Sequence, residues 1–321
     1  MNNKSLLEVI RENLKDGELP DSFSLPKEDD GDTNKVKWAD GALDGVMIFH
    51  MRRSEISDEQ MDIVSDAFSM LDDNEKVMTR MKDFFAKVSP LSGIDAIQSY
   101  ILRNTQTLDA NQVYSLANDC IFSSDVNMVK LGLLIVEIFN EPDDQLKDVI
   151  RTLGSSDEFT IFSVFNMMSW ENGNQEVFEL AKRVHGWGRI HAVERLEPET
   201  EEIKEWLLAE GINNTVISDY SALVVYEKVN IAEILKNSVT DAQLEQISRV
   251  LISMFSEGPV GGISVLPEND AIDMIGDYIS QAETHLLTGD TRNLLGTISE
   301  DKRFEMYAEK CKEILERNCE K

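Results

Sequence analysis

A run of helical segments with short breaks between them constrains the fold more than any other feature, and we expect its first segment, which is apolar on nearly every side, to be a central buried helix. The segments cover residues 126–139, 143–153, 158–170 and 174–184 and, after a glycine-containing break at 185–191, residues 189–196 and 199–210. Helix pairs recurring at this spacing are typical of stacked repeats, in which each pair buries its apolar face against its neighbours. We therefore predict an all-α protein with a HEAT-like helix-pair solenoid and a less regular N-terminal region.

The predicted organisation has three regions. Residues 1–37 form an N-terminal helix and an acidic linker, 38–124 an N-terminal helical region, and 125–321 the helical-repeat region with a C-terminal cap helix. Capping boxes at Ser57–Gln60, Asp109–Gln112 and Thr240–Gln243 mark three helix starts. The short apolar run Val46–Phe49 is compatible with either a strand or a helix turn, because periodicity cannot separate the two over so few residues.

Composition bounds the class of partner and the compartment. Sixty acidic and 31 basic residues give a formal net charge of −29, which repels phosphate backbones and makes nucleic acid an improbable partner. No apolar run is long enough to cross a membrane. The odd, widely spaced cysteines Cys120, Cys311 and Cys319 do not form a disulfide framework, and we expect Cys311 to be a buried core thiol. We therefore predict a cytoplasmic protein that does not bind membranes.

The densest group of polar residues lies around the break at 185–191 and is the candidate pocket or binding surface. Its members are His185, Trp187, Arg189, His191, Glu194 and Arg195. A functional interpretation makes this group a pocket floor, with Arg189 or Arg195 holding an anion or a carboxylate. In the structural alternative, Trp187 anchors the turn and the Arg and Glu side chains form surface pairs.

Cofactor motifs are weak. Gly186-x-Gly188-x-x-His191 has the glycine spacing of a dinucleotide fingerprint, but it lacks the preceding apolar strand and the third small residue. A helix cap and re-entry turn is the favoured interpretation. Four histidines with one His-x-x-Glu pair do not make a diiron site, so we predict no metal. The apolar cluster Phe162, Phe165, Met167, Met168 and Trp170 could line a cavity, although core packing explains it more simply.

Several strings across most of the chain resemble bacterial proteins named limonene hydroxylase. They are Gly17–Pro20 with Phe23–Lys27, Trp38–Ala42 running to Phe49–Met51, His185–Leu196, Trp206–Gly211, Tyr220–Leu223 and Glu257–Val260, of which His185–Leu196 is the most specific. The resemblance implies an oxidoreductase that uses NAD(P)H. Its monooxygenase reaction would give carveol and perillyl alcohol from limonene, and dehydrogenation would give carvone and perillyl aldehyde.

The resemblance identifies no catalytic residues in this chain. The residues themselves favour an alternative, a non-catalytic helical-repeat scaffold that binds a protein partner. The two expectations therefore differ in the kind of partner, which is a small apolar terpene for the enzyme and a protein for the scaffold.

Overall fold

A computed structural model describes residues 4–26, 37–51, 56–139 and 142–317. Within these ranges the chain forms 18 α-helices and two short 3₁₀ segments, and its only β pairing is a single bridge between Lys15 and Glu18. The predicted all-α fold is confirmed. The HEAT-like solenoid stays a prediction, as does the three-region organisation.

The helices group into two compact units, residues 1–195 and 196–321. The helices of the first unit are α1 (Leu6–Asn13), α2 (Ala42–His50), α3 (Asp58–Phe68), α4 (Asn74–Phe85), α5 (Pro90–Arg103), α6 (Ala110–Ile121), α7 (Val126–Val136), α8 (Asp144–Gly154), α9 (Thr160–Met168), α10 (Gly173–Arg183) and α11 (Trp187–Arg195). Those of the second unit are α12 (Glu201–Glu210), α13 (Asp219–Val229), α14 (Ile231–Leu235), α15 (Asp241–Phe255), α16 (Glu268–Ala282), α17 (Gly289–Glu300) and α18 (Ala308–Arg317).

Side-chain caps set many of the helix starts. Two of the three predicted capping boxes are confirmed: Ser57 and Gln60 exchange hydrogen bonds at the start of α3, and Thr240 and Gln243 do so at the start of α15. At the start of α6, Asp109 accepts a hydrogen bond from the Asn111 N–H, so it caps the helix without the predicted return bond from Gln112. Each box satisfies two backbone N–H groups that would otherwise have no partner within the helix.

Helix α7 is the centre of the first unit. Nine of its 11 residues are buried, which confirms the expectation of a central buried helix. It packs against α4, α5, α6 and α9. A Cβ on Gly132 would lie 2.8 Å from the Ala117 carbonyl oxygen, so this glycine lets α6 and α7 cross closely. The one charged residue among the buried nine is Lys130, and its neighbours define the site described below.

The structure resolves the ambiguity of Val46–Phe49, which lies within helix α2. Gly41 precedes this helix with a left-handed φ of 74°. A Cβ there would lie 2.5 Å from the Asp157 carbonyl oxygen, so both the φ value and the close approach require glycine. Helix α2 therefore starts directly against the turn that precedes α9.

The second unit has its own core. Tyr278, Phe304 and Cys311 are each no more than 1% exposed, and α18 packs against α17. The core-thiol prediction for Cys311 is confirmed, and burial raises the pKa of this thiol to about 11. Cys120 of the first unit is likewise a buried free thiol, and Cys319 lies outside the described residues.

Every helix in the described ranges is too short or too polar to cross a bilayer.

Candidate functional site

The site begins where α2 meets α11, two helices that are more than 130 positions apart in the chain. A Cβ on Gly45 would lie 2.1 Å from Cε3 of Trp187, so the indole ring of α11 rests directly on the backbone of α2. Phe49, one turn later on α2, has its ring centroid 6.3 Å from that of Trp187. Trp187 is 7% exposed, so it packs inside the first unit as an anchor between the two helices.

A buried ion cluster lies beside this contact. The Lys130 Nζ atom of α7 is 2.7 Å from Asp44 Oδ2 of α2 and 2.5 Å from Glu158 Oε1. The side chains of Lys130 and Asp44 are 3% and 1% exposed. Glu158 Oε2 accepts a hydrogen bond from the Gly41 N–H at 2.8 Å, and the ammonium group also lies 5.4 Å from the Phe162 ring centroid. One cation therefore faces two carboxylates in a nearly dry interior.

Burial and the two carboxylates act in opposite directions on the pKa of Lys130. Burial lowers it, but the combined attraction of Asp44 and Glu158 outweighs this effect, so the pKa is raised and the amine stays protonated. Burial raises the pKa of Asp44, and Lys130 offsets this rise only in part. Asp44 Oδ1 has no hydrogen-bond partner among the described residues. The cluster is thus charged but incompletely satisfied.

His191 extends the incomplete centre along α11. It is 1% exposed, and neither ring nitrogen has a hydrogen-bond partner in the described part of the chain. Its ring is stacked with that of Trp187 at a centroid distance of 6.1 Å. Burial, followed by the positive charges of Arg195 and Lys130, lowers the pKa of His191 to about 3. The imidazole is therefore neutral at neutral pH.

The glycine turn before α11 is filled by a carboxylate of the chain itself. Gly188 N–H donates to Asp157 Oδ1 at 3.0 Å, and a Cβ on Gly188 would lie 2.4 Å from Thr160 Oγ1. Burial raises the pKa of Asp157 to about 6, although the N–H groups of Gly188 and Gly186 act against this rise. A dinucleotide phosphate needs these same N–H groups and would meet the Asp157 carboxylate. NAD(P)H, the cofactor implied by the resemblance, does not fit this turn.

The remaining candidate residues of α11 and its preceding turn have different surroundings. Arg189 is 6% exposed, and its Nε donates to the Val184 carbonyl oxygen at 2.7 Å, which caps the end of α10. His185 Nε2 lies 3.7 Å from Glu18 Oε2, and Glu194 is half-buried. Of the six candidates, Trp187 and His191 therefore lie in the interior and Arg189 caps α10, whereas the other three, His185, Glu194 and Arg195, are half-buried. Their role in binding stays a prediction.

An apolar cavity of about 110 Å³ lies next to the end of α11. Arg195 is on its wall, with the guanidinium carbon 5.6 Å from the Phe165 ring centroid. The other lining residues within the described ranges are uncharged: Met47, Ile48, Met51, Leu91 and Ser92. Of the predicted apolar cluster, Phe165 lines this cavity, whereas Phe162, Met167 and Trp170 are core residues and Met168 is exposed.

The ion cluster could not be predicted from the sequence, because Lys130, Asp44 and Glu158 lie on three separate segments. The one available signal was a lysine inside an otherwise apolar helix, since lysine is almost never buried without a partner. The described residues contain no group of three or more His, Cys, Asp or Glu side chains placed to hold a metal ion.

Comparison of this chain with protein-family profiles, with curated proteins and with solved structures finds no match.

Proposed function

We propose that this protein oxidises limonene at an allylic carbon, giving carveol and perillyl alcohol, and dehydrogenates these alcohols to carvone and perillyl aldehyde. The observation that carries the proposal is the position in the structure of the sequence strings that resemble the limonene hydroxylases. Trp38–Ala42 and Phe49–Met51 flank and overlap α2, and His185–Leu196 includes α11. These two helices pack together at the buried centre and supply part of the cavity wall.

Most of the residues that line the cavity are apolar. Within the described residues, its lining consists of thioether, aliphatic and aromatic side chains, the Ser92 hydroxyl and one cation, which is the usual mixture of apolar walls and few polar groups in small-molecule pockets. An engineered cavity of about 150 Å³ holds benzene, so limonene needs more room than the 110 Å³ present. Met47 and Met51 border the cavity, and unbranched methionine side chains adapt readily to a ligand.

The test is product formation by the purified protein. Limonene, NADH or NADPH and air are supplied, with haem, flavin and iron added separately, and products are quantified by gas chromatography. We expect carveol or perillyl alcohol in molar excess over the protein. Ile48→Trp should fill the cavity and reduce the yield, whereas Leu102→Trp, at a position 56% exposed in the same unit, should not. Product below the protein concentration under every supplement contradicts the proposal.

The second candidate function is a non-catalytic scaffold for a protein partner. The observation that favours it is the Asp157 carboxylate at the start of α11, which occupies the position that a nucleotide phosphate would need. Arg195→Ala should then remove a specific co-purifying protein and leave thermal unfolding almost unchanged, because Arg195 is half-buried at the end of its helix. Unchanged co-purification by this variant argues against a scaffold that binds through α11.

A further inference from the structure

Arg195 is an unusual cation for a chain of this charge. It is half-buried and its guanidinium lies over the Phe165 ring, but within the ranges that the structure describes no carboxylate is within ion-pair distance of it. The chain has 60 acidic and only 31 basic residues, so acidic partners are plentiful. Partly buried charges in proteins are normally paired.

Arg151 of the same unit shows what the arrangement around Arg195 lacks. Its guanidinium also lies over an aromatic ring, 5.5 Å from the Trp170 centroid. In addition, its Nε and Nη2 atoms donate to the two carboxylate oxygens of Glu176 at 2.8 and 2.7 Å. Arg195 likewise lies over an aromatic ring, that of Phe165, but no carboxylate of the described residues pairs with it. The guanidinium is therefore free to bind a carboxylate from outside the chain in the same two-bond geometry.

The cavity beside Arg195 determines what such a carboxylate must be attached to. Its other lining residues in the described part of the chain are uncharged, and Ser92 adds one hydroxyl group. The Ser92 oxygen lies 3.2 Å from the Ser89 hydroxyl, which donates to it, so the proton of Ser92 is available to a ligand oxygen. An anionic group at Arg195 would thus continue into a small apolar body against Met47 and Ile48.

We propose that this cavity binds a small apolar monocarboxylate, with the carboxylate on Arg195 and the hydrocarbon part against the methionine and isoleucine side chains. The inference rests on the proposed function for the use of this cavity as the ligand site. It deepens that proposal, because an acid is the oxidation state that follows an aldehyde such as perillyl aldehyde. Arg189 is not the anion-binding residue, since it is buried and caps α10.

The probe is isobutyrate, and its uncharged control of the same shape is isobutyramide. Isothermal titration calorimetry with the full chain should show that the acid binds at least about tenfold more tightly than the amide, as one charge-assisted pair provides. Equal affinity of acid and amide, or no binding of the acid at millimolar concentration, overturns the inference.

Two variants that each remove one positive charge test whether Arg195 is the source of the preference for the acid over the amide. Arg195→Gln should abolish the preference for the acid and keep the affinity for the amide. Arg80→Gln removes a cation that is ion-paired to Asp66 on the surface of the same unit, and it should leave the preference intact. Retention of the preference by Arg195→Gln overturns the assignment of the residue.

A measurement on the unaltered protein keeps the test decisive if Arg195→Gln does not fold. With ¹³C-methyl-labelled methionine, the acid should shift the signals of Met47 and Met51, which line the cavity, and leave that of Met274 in the second unit unchanged. Shifts confined to other methionines overturn the inference. Binding of the acid without limonene turnover would defeat only the proposed oxidation, and turnover without acid preference would defeat only this inference.

Discussion

The two units bury polar groups in different ways. In the first unit, Lys130 forms ion pairs with Asp44 and Glu158, but Asp44 Oδ1 and both ring nitrogens of His191 have no partner among the described residues. In the second unit, the buried hydroxyl of Ser248 donates to the Leu244 carbonyl oxygen at 2.6 Å and lies 2.7 Å from the Tyr278 hydroxyl. Because the single proton of Ser248 is used, Tyr278 must donate to it. This second network is neutral and satisfied, although Asp219 Oδ2 and Ser221 Oγ elsewhere in the same unit have no partner among the described residues.

The difference indicates which network serves stability alone. Neutral hydroxyl groups that find partners cost little to bury and fix the packing of the helices that carry them. Buried charges pay a large desolvation penalty, and apolar residues in their place are often as stable. A charged and incompletely satisfied centre therefore needs an explanation other than stability. This argument favours the Lys130 cluster over the Ser248 cluster as a functional feature.

The largest expected effect comes from Lys130→Met, which leaves two carboxylates facing each other without their cation. Breaking a buried pair in this way costs about 3–5 kcal/mol of the free energy of unfolding. Urea unfolding followed by tryptophan fluorescence measures it, in a Trp206→Phe background so that the remaining tryptophans, Trp38, Trp170 and Trp187, all report on the first unit.

The control for charge is Lys82→Met, which removes a surface ion pair with Asp125 where the lysine is 53% exposed. This change should cost less than about 1 kcal/mol. Replacing Lys130, Asp44 and Glu158 together with apolar residues should recover most of the lost stability. Equal costs for Lys130→Met and Lys82→Met would mean that burial adds nothing to the cost of breaking the ion pairs of Lys130.

The next effect concerns packing. Gly45→Ala places a Cβ 2.1 Å from the indole of Trp187, a rigid ring held in the core, so α2 and α11 must separate. We expect a loss of about 1–3 kcal/mol in the free energy of unfolding. Gly296→Ala in α17 of the second unit is the matched control, since a Cβ there meets nothing within 4 Å. It should stabilise its helix by about 0.5–1 kcal/mol, and a stabilising Gly45→Ala would contradict the close contact.

The same contrast explains what the sequence could predict. Helix existence followed from local signals, such as the capping boxes at Ser57 and Thr240 and the apolar run of α7, and these signals do not depend on distant residues. The segment at 46–49 stayed ambiguous because its conformation depends on a tertiary contact, that of Gly45 with Trp187.

The candidate site was predicted in part. The segment 185–195 stood out because its polar residues are adjacent in the sequence, and it includes His191 and Arg195. The partners Asp44, Lys130 and Glu158 come from three segments, and no spacing rule connects residues that meet only through the packing of α2, α7 and the start of α9. The burial of Arg189 could not be predicted from the sequence either, because it depends on the position of the α10 carboxyl terminus.

The third prediction uses the pH dependence of His191. An unfolded histidine has a pKa near 6.5, and burial lowers that of His191 to about 3. Between these values the unfolded state binds more protons, so stability falls by about 1.4 kcal/mol for each unit that the pH decreases. His191→Leu removes this contribution. At pH 5 the variant should exceed the wild type by about 2 kcal/mol, and at pH 7 the two should agree within about 1 kcal/mol because the ring nitrogens lose no bonds.

Urea unfolding of the wild type and the variant between pH 5 and 7 gives this difference directly. Parallel pH profiles for the two proteins would mean that His191 is protonated in the folded state, or that it has a partner in solution. A large loss of stability of the variant at pH 7 would likewise mean that His191 has a hydrogen-bond partner in solution. Either result would make the first unit resemble the second, with a satisfied network.

The smallest effect is expected for Tyr278→Phe in the second unit. The change removes one hydroxyl and leaves the ring, which is fully buried, in place. Ser248 still donates to the Leu244 carbonyl oxygen and still has the Thr291 hydroxyl 3.3 Å away, so only one hydrogen bond is lost, at a cost of about 1 kcal/mol. Thermal unfolding of the variant measures this cost. A loss as large as that of Lys130→Met would show that the hydroxyl network is cooperative and that charge is not what separates the two units.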